Sequence, residues 1–332
     1  MATIKNQTSE KLYALMGVPS LYSVRNSVSD KQKGNYAEYD TKMLAIEKGY
    51  VGSISDCFIL YAIAKLQYAS REVILEFLAT LSKKNPSYYI PELDYKGLNN
   101  RIKELIKYGF IIALENEVSV EGLQRSHLIL YAVTEDGRTL ANNRLQKRVK
   151  PDRFGNTRPL CEKVGMGASA YLVTKLMSEA AFVDFADGVF KGKYCGTIKL
   201  DNEIYCEKDN QKEHIAVISF FAHQNMGYMN EKAFEDYKFV KLNTIRDYLI
   251  TKSQKDNHSG KVICLCEDQK DFEEITEFIY KSRGSFDEWH INSIYFTTQS
   301  AVASVKNVKD AFMQMSIDSN DELVYHAGCD FL

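Results

Sequence analysis

Tyr95, Lys96, Asn99, Asn100 and Lys103 fall on one side of a run whose apolar residues Leu98, Ile102, Leu105 and Ile106 recur at helical spacing. The polar set therefore lines the solvent face of an amphipathic helix that Asp94 is placed to cap. Carboxamides pair with adenine and ammonium groups with guanine in the major groove of DNA, so this face has the chemistry to read base edges. Arg101 flanks the apolar row and suits either a phosphate or an acid on a neighbouring helix. A second basic group follows: Arg138, Arg144, Lys147, Arg148, Lys150, Arg153 and Arg158 stand against one acid, Asp152, in a chain of net charge −2. Local asymmetry of that kind suits contact with a phosphate backbone, and Arg144, Lys147 and Arg148 are its expected contacts. The alternative for this run is a solvated linker.

Three helices and two strands must hold these residues. Ser55 or Asp56 caps a helix carrying Phe58, Ile59, Leu60, Ile63 and Leu66, and Ser70 caps a second over Arg71–Lys83. The Asp94 helix stops at Gly109, and strands Phe110–Leu114 and Leu128–Val133 follow, with Arg125 at the tip between them. An Arg there enters a minor groove or meets a phosphate.

The helix end reads L-x-x-R-I-x-x-L-x-x-x-G-F-I from Leu98 to Ile111, and the second strand closes as Y-x-x-T-x-x-G-R-x-L from Tyr131 to Leu140. These motifs resemble the winged helix-turn-helix DNA-binding domains of bacterial regulators and plasmid proteins. The resemblance implies that the Asp94 helix is the recognition helix and the two strands are the wing.

At 332 residues the chain exceeds one average domain. We expect a polar arm at 1–50, with one loose helix, and a winged-helix domain at 51–146. A basic linker at 147–160 then leads to an α/β domain at 161–332 with a mixed sheet. In that last part a helix is predicted at Gly167–Ala180 and a hairpin from Lys193–Leu200 and Glu203–Lys208, turning at Asp201-Asn202. The apolar strand His214–Phe221 follows, then alternating elements that include helices at Glu231–Thr251 and Ser300–Met315. A small α/β domain after a winged helix resembles the replication-relaxation proteins of plasmids and conjugative elements, which implies a restriction-endonuclease-like fold usually lacking obvious catalytic residues.

An active nuclease of that kind needs an acid on one strand and an acid-x-Lys on the next to hold a divalent metal. Asp184, Asp187, Glu203 and Glu207-Lys208 offer acids without that spacing, and Asp236-Tyr237-Lys238 falls in a helical pattern, so no catalytic residue is assigned. His214 and His223 lack a partnering nucleophile signature. Cys264, Cys266, His326 and Cys329 could be drawn as a zinc site, but the first two lie in an apolar strand where cysteine acts as a small hydrophobe. No metal and no cofactor is expected, and no nucleotide-binding glycine motif is present.

The expectation is a cytoplasmic, sequence-specific binder of double-stranded DNA from a mobile element, acting in replication, segregation, transfer or transcription control. A homodimer is expected because one recognition helix reads only a short site. The C-terminal domain would serve assembly or partner binding, and no membrane contact is foreseen. The alternatives are a metal-dependent nuclease targeted by the winged helix and a winged helix that binds protein.

Overall fold

The computed structural model describes residues 3–4, 7–34, 37–86, 93–119, 126–149, 158–186, 188–192, 197–208, 210–221, 231–255, 260–282, 284, 288–320 and 322–332. The chain divides into two compact units, residues 1–25 with 175–332 and residues 26–174. The division departs from the expected boundaries at both ends. The N-terminal 50 residues are not a separate arm, because their few apolar side chains find partners far along the chain.

Strand β1 (Thr3–Ile4) runs parallel to residues 324–325. Helix α1 (Gln7–Met16) buries Leu12 and Met16, and Ser9 Oγ accepts from Ala327 N at 3.1 Å. Both elements belong to the C-terminal unit.

The second unit begins with β2 (Ser27–Lys33) and α2 (Tyr39–Glu47). Helix α3 (Ile54–Leu66) is apolar almost all round and buries Cys57, Phe58, Ile59, Leu60 and Ile63, so it forms the centre of this unit. Its cap is Ser53, not Ser55 or Asp56: Ser53 Oγ accepts from Asp56 N at 3.2 Å and Asp56 Oδ2 accepts from Ser53 N at 3.0 Å. That reciprocal pair is a capping box, with Asp56 in the third helical position. Helices α4 (Arg71–Lys84) and α5 (Tyr95–Lys107) start at the expected caps, Ser70 and Asp94.

Gly109 ends α5 with φ of 74°, a left-handed conformation that glycine adopts without a Cβ clash. Strands β3 (Ile111–Val118) and β4 (Ser126–Val133) pair antiparallel over their full length, and β2 adds to the outer edge of β3. Between α3 and α4, Ala69 bridges Tyr131 through two backbone bonds of 2.9 and 3.1 Å. Thr134 then caps α6 (Glu135–Leu145). The glycine of its T-E-D-G-R segment is required by space, since a Cβ on Gly137 would sit 2.3 Å from the Phe110 carbonyl oxygen. Helix α7 (Leu160–Leu176) begins in this unit and starts earlier than the predicted Gly167.

The larger unit holds β5 (Phe182–Ala186), β6 (Val189–Lys191), β7 (Thr197–Lys199), β8 (Asn202–Lys208), β9 (Gln211–Phe220) and α8 (Glu231–Lys255). After them come β10 (Gly260–Cys266), α9 (Gln269–Lys281), α10 (Glu288–Asn292), β11 (Ile294–Thr298), α11 (Gln299–Ser304), β12 (Met313–Ile317) and β13 (Leu323–Ala327). Eight strands form one mixed sheet in the order β1-β13-β12-β11-β10-β9-β8-β5. Strands β9, β10 and β11 are parallel at its centre, and every residue of β10 is buried, with Val262, Cys264 and Cys266 in a core shared with α1, α8 and α9.

Two predicted elements are corrected. The hairpin turning at Asp201-Asn202 does not form: β7 pairs with β6, and β8 pairs with β9 and β5. The helix predicted over Ser300–Met315 ends at Ser304, and residues 313–317 become β12. Met313 and Met315 are two apart, the alternation of a strand and not of a helix face, and the pairing with β11 and β13 completes the strand.

Candidate nucleic-acid interface

Helix α5 buries Leu98, Ile102 and Leu105 and leaves Lys96, Asn100, Lys103 and Lys107 exposed. Their spacing of four, three and four residues stacks them into one polar ridge along the helix. Lys107 extends that ridge by a turn and was outside the sequence-derived set.

Two of the expected readers are occupied within the protein. Asn99 Oδ1 accepts from Arg71 Nη1 at 2.8 Å, and the Tyr95 hydroxyl donates to Glu72 Oε1 at 3.1 Å. The Arg71 guanidinium also lies 5.0 Å from the Tyr95 ring centre, a cation–π contact. Arg71 thus fixes the start of α5 against α4. It follows the Ser70 cap directly, but no local pattern links it to residues 24 to 28 positions later.

Arg101 takes the acidic partner. Its Nε and Nη2 donate to the two carboxylate oxygens of Asp56 at 2.7 Å each, and Nη2 also donates to the Tyr50 carbonyl at 2.9 Å. Asp56 has a fully buried side chain, so this fork ties α5 to the first turn of α3.

The basic run separates into different roles. Arg144 and Arg148 are exposed, whereas Lys147 is half-buried with its ammonium 5.4 Å from the Tyr61 ring centre. Arg138 pairs with Glu135 at 2.8 Å, and buried Arg158 pairs with Glu162 at 2.7 Å. Asn142 holds the segment after α6 by accepting from Val149 N at 3.0 Å and donating to the Val149 carbonyl at 3.3 Å. Arg125, Lys150 and Arg153 lie outside the described residues. On the strands, Glu115 pairs with Lys33 at 2.7 Å and Glu117 accepts from Ser29 at 2.8 Å, so β2 supplies partners to the acids of β3.

In the larger unit, Glu203 is held by protein donors. Its Oε1 accepts from Lys252 Nζ at 2.8 Å and the Tyr248 hydroxyl at 3.0 Å, with His214 Nδ1 at 3.4 Å, and its Oε2 accepts from the Tyr205 hydroxyl at 3.0 Å. Burial acts to raise its pKa, but the contacts with His214, Lys252 and Tyr205 outweigh burial and hold it at about 2. A carboxylate with a depressed folded pKa stabilises the fold above its unfolded value and loses that contribution as pH falls toward 2. Glu203→Gln is accordingly expected to lower stability at pH 7 by about 3 kcal/mol and to flatten the acid-unfolding profile below pH ~4.5. Urea melts at neutral and acid pH check this, and an unchanged profile would remove Glu203 from the acid transition.

Asp184 lies on β5 beside Tyr205, and Asp187 and His223 are outside the described residues. Among the described residues no group of three His, Cys, Asp or Glu is arranged to hold a metal. Cys264 and Cys266 are fully buried on β10, which β11 and β12 separate from His326 on β13. Burial pushes the Cys57 thiol up to about 11 and Cys329 up to about 12, which makes both poor thiolates. Among the described residues no helix is long and apolar enough to cross a membrane.

No protein-family model, curated protein or solved structure matches the chain.

Proposed function

We propose that the chain binds double-stranded DNA through α5, used as the recognition helix of a winged-helix unit, with Arg144 and Arg148 on flanking phosphates. The observation that carries this reading is the exposed ridge Lys96, Asn100, Lys103 and Lys107, opposite a fully buried face. A lysine and asparagine ridge offers donors to guanine, paired groups to adenine and positive charge to phosphate. Supporting it are the order α3, α4, α5, β3, β4, α6 and the Ala69 bridge to Tyr131, an order that a helix-and-wing reading calls for.

Asn100 takes the base-reading role, Asn99 and Tyr95 position the helix through Arg71 and Glu72, and Lys147 packs on Tyr61. The meander of β5, β8 and β9 leading into parallel β10 and β11 supports a restriction-endonuclease-like reading of the larger unit, used for assembly or partner binding. A homodimer would place two recognition helices on paired half-sites. Service to a mobile element, in replication, segregation, transfer or transcription control, rests on the sequence resemblance.

The test is duplex binding by the full chain as a function of salt. Arg144→Glu with Arg148→Glu is expected to weaken binding to all duplexes and to reduce the log–log salt slope by about two units, one for each phosphate no longer neutralised. An unchanged slope returns this run to a solvated segment, and absence of salt-dependent binding in the unaltered chain overturns the reading.

A further inference from the structure

A groove of about 750 Å³ opens on the larger unit between α1, α9 and β13. Its floor is apolar and aromatic: Phe272, Leu323 and Tyr325 are buried there. Tyr13 and Tyr280 stand at its sides, half-buried, and the carboxylates of Glu273, Glu277 and Glu322 are exposed at its rim. Lys281 is the one basic lining residue and is already engaged with Glu277 at 2.7 Å, so the rim remains net acidic.

We infer that this groove binds an aliphatic polyamine. Aromatic faces attract cations, and carboxylates bind ammonium groups through charge-assisted bonds, so the lining selects for positive charge carried on an apolar body. Glu273 and Glu277 are one helical turn apart, roughly 6 Å along the axis, which matches the separation of amines across a three- or four-carbon linker. The methylene chain between such amines would lie on Phe272, Leu323 and Tyr325, and a third amine would meet Glu322. A hydrated metal ion has no apolar body to use that floor. The contacts now made at the rim, the Tyr13 hydroxyl and Gln269 Nε2 to Glu273 and Lys281 to Glu277, are exposed and exchange readily with a ligand amine. The volume lies in the range of small-molecule sites.

The experiment is calorimetric titration of the full chain with spermidine, butylamine and MgCl2 at fixed ionic strength, repeated on Glu273→Gln with Glu277→Gln and, separately, on Tyr280→Leu. Both glutamates are exposed, so the double variant is expected to keep the unaltered melting temperature. Saturable binding of one spermidine per chain, with butylamine and Mg²⁺ at least about ten-fold weaker and the double variant weakened about ten-fold, supports the site. A smaller loss in Tyr280→Leu adds the aromatic wall to it. Absence of saturable binding, equal competition by Mg²⁺, or unchanged affinity in the double variant overturns it. Tighter binding of a lysine-rich peptide than of spermidine also overturns it, in favour of a protein partner.

Discussion

Arg101→Met is expected to destabilise the helical unit by about 3 kcal/mol, the cost of leaving a buried carboxylate without its partner. The methionine keeps the aliphatic stem against the buried row, so the effect isolates the guanidinium. Asp56 would retain only the Gly52 and Ser53 amides at 2.9 and 3.0 Å. Amide hydrogen exchange over residues 54–66 reads this unit separately from the other. Adding Asp56→Asn to the variant removes the stranded charge and should restore part of the stability, a coupling that two independent interactions would not show. A decrease below about 1 kcal/mol in the single variant would mean that the fork contributes no more than a surface ion pair.

Lys96→Glu with Lys103→Glu is expected to lower duplex affinity about a hundred-fold at low salt and to reduce the salt slope by about two units. Both residues are exposed, so the helix should keep its circular dichroism and melting temperature. Asn100→Ala serves as the contrast: it should weaken a specific site by ~1–3 kcal/mol while leaving random duplex nearly unaffected. If the lysine reversals leave affinity unchanged, α5 is not the contacting helix. If Asn100→Ala lowers both affinities equally, the helix meets backbone and not base edges.

Much of the helical unit was legible because its signals are local. Asp94, the spacing of Leu98, Ile102 and Leu105, and Gly109 define α5 within about fifteen consecutive positions, and a cap, a periodicity and a left-handed stop need no distant partner. The Y-x-x-T-x-x-G-R-x-L motif was legible as the close of the second strand, whereas the Thr134 cap and the close approach at Gly137 came from the folded structure. The candidate site was legible to the level of a face. Which of its residues remain available was not, since Asn99 and Asn100 are chemically identical and adjacent, and only Arg71 on α4 distinguishes them.

The N-terminal segment shows why the remainder was hidden. Residues 1–50 carry too few apolar side chains to suggest a domain, yet Leu12 and Met16 complete the core of the larger unit and β2 completes the sheet of the other. The residues they meet lie as much as 318 positions away, as with Ser9 and Ala327. Met313 and Met315 became a strand by the same cause. By itself the sequence determined the capped and amphipathic helices, the buried apolar strands and the polar face of α5, because short-range sterics and hydrophobic periodicity are enough to specify them. Only the tertiary structure decided strand partners, the fork between Arg101 and Asp56, the donors around Glu203 and the acidic aromatic groove. Each of these depends on groups that chain folding, and not chain order, brings within bonding distance.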